Sequence, residues 1–232
     1  MFVGHYSAAL ALKAARPPAP LWALFVAVQL VDFAWAGLVM AGVEKVRIVP
    51  GFLAASNLDL YFMPYTHSLP GALAWSAAAG GIVAMIWRNG RGLAAGAIVG
   101  AAVFSHWALD FIVHAPDLPL YPGGPKVGLG LWNSLVASQA IEIGALAVGM
   151  LIYLAATKAK TSGGPGGSSG RTSAMGLIAP LGLFAALVGL QAYSLFGAPP
   201  PASTFEFAAT ALFAYAALAV LAGLVDLTRR AK

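Results

Sequence analysis

The chain has no cysteine and very little charge. Without cysteine there is no disulfide and no thiolate ligand, so any metal site must be built from His, Asp, Glu or water. Only 9% of the 232 residues are Asp, Glu, Lys or Arg, against about 25% in an average soluble domain. Such a chain cannot cover a water-facing surface. With 60% hydrophobic residues and a mean hydropathy of +0.82 it reads as an integral membrane protein. A cleavable secretory leader is not expected, because Lys13 and Arg16 follow the first apolar stretch instead of preceding it. The net charge of +5 does not point to nucleic acid. In a membrane protein the distribution of Lys and Arg sets orientation, and their total says little.

What the chain does have is long apolar runs. Six segments, at about 20–42, 69–88, 92–114, 131–157, 174–196 and 204–227, approach the ~20 residues that a spanning helix requires. The expected fold class is therefore all-α, a polytopic transmembrane bundle. Residues 2–15 add an apolar helix too short to cross. With Lys13 and Arg16 at the interface it runs from mid-membrane and carries His5 near the midplane; the alternative is a helix lying on the surface. The stretch 158–173 is rich in Gly and Ser and reads as a flexible linker. It divides the chain into a His- and Asp-bearing part, 1–157, and a final helix pair, 174–232. If the N-terminus is cytoplasmic, ten basic residues (13, 16, 88, 91, 158, 160, 171, 229, 230 and 232) lie inside and three (Lys45, Arg47 and Lys126) outside. This positive-inside bias predicts cytoplasmic termini in a bacterial inner membrane, with the long loops at about 43–68 and 115–130 facing outward.

Against this apolar background a few ionisable residues stand out, and ionisable groups at membrane depth mark functional sites by default. His106, Asp110 and His114 recur every four residues, which places them on one helix face. Asp32 lies inside the first span, and His67 sits where the outer loop enters the second. His5 reaches the same layer if the short helix is inserted. All four histidines of the protein belong to this set. Imidazole and carboxylate together suit Zn²⁺, with Mn²⁺ or Fe²⁺ as alternatives. The expected ligands are His5, Asp32, His67, His106 and Asp110, serving one ion or two. His114 and Asp117, near the outer end, are candidates for a ligand, a general acid/base or a supporting hydrogen-bond partner. Proline at 116 also predicts that the helix stops there. Glu142, the acid of the fourth span, is a candidate base, proton relay or supporting carboxylate, and equally an interhelical hydrogen bond. The loop 121–128 lacks the Gly-Lys-Ser/Thr ending of a nucleotide-binding loop.

Gly4-His5, Asp32, Thr66-His67-Ser68 and His106-x-x-x-Asp110, taken in order, resemble the YdjM-type inner-membrane metal-dependent hydrolases, which are themselves likened to zinc-dependent phospholipase C. The resemblance covers roughly residues 1–157. It implies a divalent metal held by His5, Asp32, His67, His106 and Asp110, and hydrolysis of an ester or phosphoester. The chain departs from the family's Pro-Asp-x-Asp turn, since Val31-Asp32-Phe33-Ala34 supplies a single carboxylate. No basic residue precedes Thr66-His67-Ser68. Ceramidase-like membrane hydrolases share the ligand types but match the order less well. The leading expectation is a metal-dependent hydrolase whose substrate is lipid-linked and enters from the bilayer. The alternatives are a metal-ion or proton transporter, and a non-catalytic protein whose helices a metal holds together. Membrane lipids are the expected partners, nucleic acid is not, and the sequence leaves the oligomeric state open.

Overall fold

The computed structural model describes residues 1–15, 19–87, 90–162, 171–172, 174–197, 201 and 203–232. Arg16 and Arg88 of the charge count, and linker residues 163–170 and 173, lie outside the described residues. The fold is all-α and polytopic. Among the described residues, five helices are long and apolar enough to cross a membrane: α4 (Leu69–Ile86), α5 (Gly92–Val113), α6 (Leu135–Ala156), α7 (Met175–Phe196) and α8 (Thr204–Thr228). Before them come α1 (His5–Ala14), α2 (Leu21–Val28) and α3 (Leu30–Met40). Large apolar side chains such as Leu93, Val136, Leu151, Phe213 and Leu227 stand exposed on these helices, as a bilayer-facing surface requires.

The first expected span is not one straight helix. It breaks at Gln29 (φ −110°, ψ 6°), and α2 and α3 meet at 51°; the pair makes a sixth span if it crosses as one. No proline or glycine causes the bend. Instead the imidazole of His106 donates from Nδ1 to the carbonyl of Val28, at the break itself, one of the recognised ways a side chain bends a helix. The break also starts a new helix at Leu30, so Asp32 falls in its first turn, where the helix dipole favours a negative charge.

The short helix α1 is packed inside the bundle and does not lie on its surface. His5, Tyr6, Ala9 and Leu10 are fully buried, and the helix lies against α2, α5 and α6. Its approach to α6 is close. A Cβ on Gly149 of α6 would come within 2.6 Å of the Ser7 carbonyl, so only glycine fits there. At its far end Lys13 reaches Asp226 of α8 (3.9 Å).

The loop expected at about 43–68 contains an antiparallel hairpin, β1 (Lys45–Leu53) and β2 (Ser56–Phe62). The loop expected at about 115–130 contains a smaller pair, β3 (Leu118–Pro119) and β4 (Lys126–Val127), followed by a 3-10 turn at Leu131–Asn133 that shortens the fourth span. At the opposite end β5 (Thr157–Ala159) pairs with β8 (Arg229–Ala231), and β6 (Thr161–Ser162) with β7 (Arg171–Thr172). The last helix packs on α2 and α3 as well as on α7. Two apolar clusters fill the interior. One contains Val3, Val28, Val31, Val99 and Val103; the other, nearer the hairpin, contains Trp35, Val39, Met63, Val113 and Trp132. On α5 the residues between Val103 and Val113 include His106 and Asp110, so the polar site sits between the two.

Candidate metal centre

Four separate elements deliver the five residues expected as ligands, and the fold brings all five together. On α5, His106 and Asp110 lie one turn apart, with Nε2 3.1 Å from Oδ2. Asp32 enters from α3, its Oδ1 3.4 Å from His106 Nε2 and 3.3 Å from His67 Nε2. His67 arrives on the turn before α4, with Nε2 3.7 Å from Asp110 Oδ2. That turn is fixed by Ser68, which caps α4 by accepting from the Gly71 amide, and by the Trp107 indole, which donates to the His67 carbonyl. His5, on α1, stacks on the His106 ring (centroids 3.8 Å apart, 8° between planes) and puts Nε2 3.1 Å from Asp110 Oδ1. The α-amino group of Met1 lies against the same oxygen.

His5, His67, His106 and Asp110 are almost completely buried, while the Asp32 side chain is 14% exposed and forms the site's open edge. Two three-ligand groups result, Asp32–His67–His106 and His5–His106–Asp110. Asp32 Oδ1 and Asp110 Oδ2 each lie 3.1–3.7 Å from both His67 Nε2 and His106 Nε2, near the ~3.4 Å spacing of neighbouring donors around an ion with bonds of about 2.0–2.1 Å.

Hydrogen bonds on the far side of three of the four rings fix where the protons are; among the described residues His5 Nδ1 has no such partner. His106 Nδ1 faces the Val28 carbonyl at 2.8 Å, and a carbonyl only accepts. His114 Nδ1 faces the Asp117 carboxylate at 2.8 Å. His67 Nδ1 faces the Thr66 hydroxyl at 2.7 Å. With Nδ1 donating in His106 and His114, a neutral ring carries its lone pair on Nε2. Those lone pairs point at carboxylate oxygens, and His106 Nε2 has no hydrogen-bond partner there. Lone pairs facing carboxylates repel unless a positive charge lies between them. One divalent cation there would balance Asp32 and Asp110 and accept the lone pairs of His67 and His106. The cluster could thus hold a metal ion in the interior of a multi-pass, membrane-spanning bundle.

The remaining candidates take distinct places. His114 caps α5, which ends there as Pro116 predicts. Its Nε2 lies 3.4 Å from Asp110 Oδ1, its ring packs 4.0 Å from that of Trp132, and Asp117 holds its Nδ1. Glu142 points elsewhere: its carboxylate accepts from the amides of Phe2 (2.9 and 3.1 Å) and Gly4 (2.7 Å). It satisfies donors at the start of α1 and so anchors the helix that presents His5.

Two residues escaped the sequence reading. Tyr215, in α8, donates from its hydroxyl to Asp32 Oδ2 at 3.1 Å, which leaves Oδ1 facing His67 and His106. In sequence it is one aromatic in an apolar helix. Glu44, buried beside Thr66, stands in a loop where an acid attracts no notice. The chain matches no protein-family model, no curated protein and no solved structure.

Proposed function

We propose that this chain is a membrane-embedded, metal-dependent hydrolase acting on an ester or phosphoester, of the kind its resemblance to the YdjM-type proteins implies. The observation that carries the reading is the convergence of imidazole Nε2 atoms on two carboxylates, the buried Asp110 and the half-buried Asp32 at the site's edge. Asp32, His67, His106 and Asp110 would hold the ion, with His5 beside them on the second oxygen of Asp110. Zn²⁺ fits these donors best. When bound, such an ion lowers the pKa of a coordinated water and polarises the oxygen of the scissile bond.

The chain's own residues do the rest. His114, oriented by Asp117, keeps Nε2 beside Asp110, available to accept and return a proton. Tyr215 holds the second oxygen of Asp32. Glu142 keeps α1 seated so that His5 stays in the layer of His106. The depth of the cluster favours a lipid or lipid-linked substrate arriving from the bilayer, and the Lys and Arg bias favours an outward-facing site in a bacterial inner membrane. Transport is the weaker reading. Among the described residues, the cluster of Val3, Val28, Val99, Ala102 and Val103 leaves the region next to the site apolar.

Elemental analysis of detergent-purified protein, paired with turnover of ester and phosphoester substrates, tests this. His106→Ala should lose both metal and turnover. His114→Ala should keep its metal and lose about 10²–10⁴-fold in rate. Wild-type protein devoid of metal sinks the proposal. Metal without hydrolysis, together with ion flux in liposomes, replaces it with transport.

A further inference from the structure

His67 differs from the other histidines in what stands behind it. The Thr66 hydroxyl is 2.6 Å from Glu44 Oε2 and 2.7 Å from His67 Nδ1. A carboxylate only accepts, so the single hydroxyl proton goes to Glu44. The hydroxyl oxygen must then accept from His67, which places the ring proton on Nδ1 and the lone pair on Nε2. The other oxygen of Glu44 accepts from the amides of Tyr65 (2.8 Å) and Thr66 (3.0 Å). Glu44 is 1% exposed, Thr66 fully buried and His67 4% exposed, so water does not compete for any of these bonds. Glu44 is itself delivered by the end of α3. Gly42 takes a left-handed turn (φ +72°), and the amides of Val43 and Glu44 both return to the Leu38 carbonyl. That turn sends the chain back under the loop at 65–66.

We propose that Glu44 and Thr66 are positioning residues for the metal centre: a one-way relay, Glu44 to Thr66 to His67, fixes the tautomer of His67 so that Nε2 can ligate. The proposal rests on the metal-centre reading for its purpose, but the tautomer itself is a property of the protein without metal. Three elements take part, the C-terminus of α3, the turn before α4 and the site, so the hairpin end of the molecule is tied to the centre by a directional chain of protons. Such supporting bonds usually govern metal affinity as strongly as they govern ring orientation.

Glu44→Gln is the sharpest test, because it keeps size and hydrogen-bond number but reverses direction. The amide oxygen can still accept from the two backbone amides, while the amide nitrogen donates to Thr66. Thr66 must then donate to His67 Nδ1, and the ring proton moves to Nε2. In full-length, metal-stripped protein labelled with ¹⁵N-histidine, the expected result is that the His67 resonances exchange their protonated and unprotonated nitrogens in Glu44→Gln. The other three histidines should keep theirs. Zinc titration of the same samples should show about 10–100-fold weaker binding in Glu44→Gln and in Thr66→Val, with wild-type affinity restored in Thr66→Ser. An unchanged His67 tautomer in Glu44→Gln overturns the relay, and so does a Thr66→Ser variant as weak as Thr66→Val, which would mean that the methyl group matters and the hydroxyl does not. If wild-type protein takes up no zinc while the tautomer still switches, the relay stands and the metal reading falls. Should Thr66→Val fail to fold, the Glu44→Gln spectrum decides the matter alone.

Discussion

Asp110 carries more of the site than any other side chain. One oxygen meets His67 and His106, the other His5 and His114. Asp32 is shared differently, with one oxygen turned to the imidazoles and the other held by Tyr215. Removing the Tyr215 hydroxyl frees Asp32 to rotate without emptying the space. Tyr215→Phe should therefore weaken metal binding by about 10-fold, the low end for a supporting partner, while leaving the metal-free protein folded; calorimetric titration with zinc reads both. At this scale the sequence was legible where chemistry clashed with surroundings. A histidine or aspartate in an apolar run is conspicuous because burying it is costly, and that marks His5, Asp32, His106 and Asp110; His67, in a loop, joins them through its shared depth and the Thr-His-Ser resemblance. Tyr215 was not legible, because an aromatic ring in a spanning helix is ordinary. Glu44 was not, because its burial arises only when the α3 turn and the loop at 65–66 come together.

Among the elements, the half-length helix α1 and the broken pair α2/α3 shape the centre. The length of α1 could be read from Lys13 and from the shortness of its apolar run, but its insertion is a matter of fit. It depends on Gly149, where the Ser7 carbonyl leaves no room for a side chain, and on Glu142, which takes the amides at its start. Gly149→Leu should push α1 off α6, withdraw His5 and lower metal content, as elemental analysis of the purified variant will show. Gly42→Ala tests the other support. Nothing lies within 4 Å of an added Cβ there, so the cost is the left-handed turn alone, about 1–2 kcal/mol, measurable as a lower melting temperature. The break at Gln29 could not be foreseen, since no proline or glycine marks it and its partner, His106, is far along the chain. The hairpin β1–β2 was also missed: Pro50 and Gly51 sit inside its first strand, and its register shifts between Ile48 and Leu53, which blurs the two-residue alternation that announces a strand.

For the whole molecule, hydropathy made five spans and their order legible, because each helix must satisfy its own backbone in lipid; the sixth expected span is the broken pair α2/α3, which counts only if it crosses as one. The way the helices pack was not legible, since apolar faces carry little address. Ligands drawn from α1, α3, α5 and the turn before α4 mean that a bound ion joins segments remote in sequence. Stabilisation by a ligand grows with its occupancy, reaching about 2.7 kcal/mol at a hundred times Kd. Chelation should therefore lower the melting temperature of wild-type protein, and have no effect on Asp110→Ala.

The hydroxyl of Tyr215 reaches a carboxylate 183 positions earlier in the chain. A ribosome must add 183 residues beyond Asp32 before that bond can form. Until α8 joins the bundle, Asp32 lacks the hydroxyl that holds its second oxygen, so the cluster is completed only when its last contributor arrives.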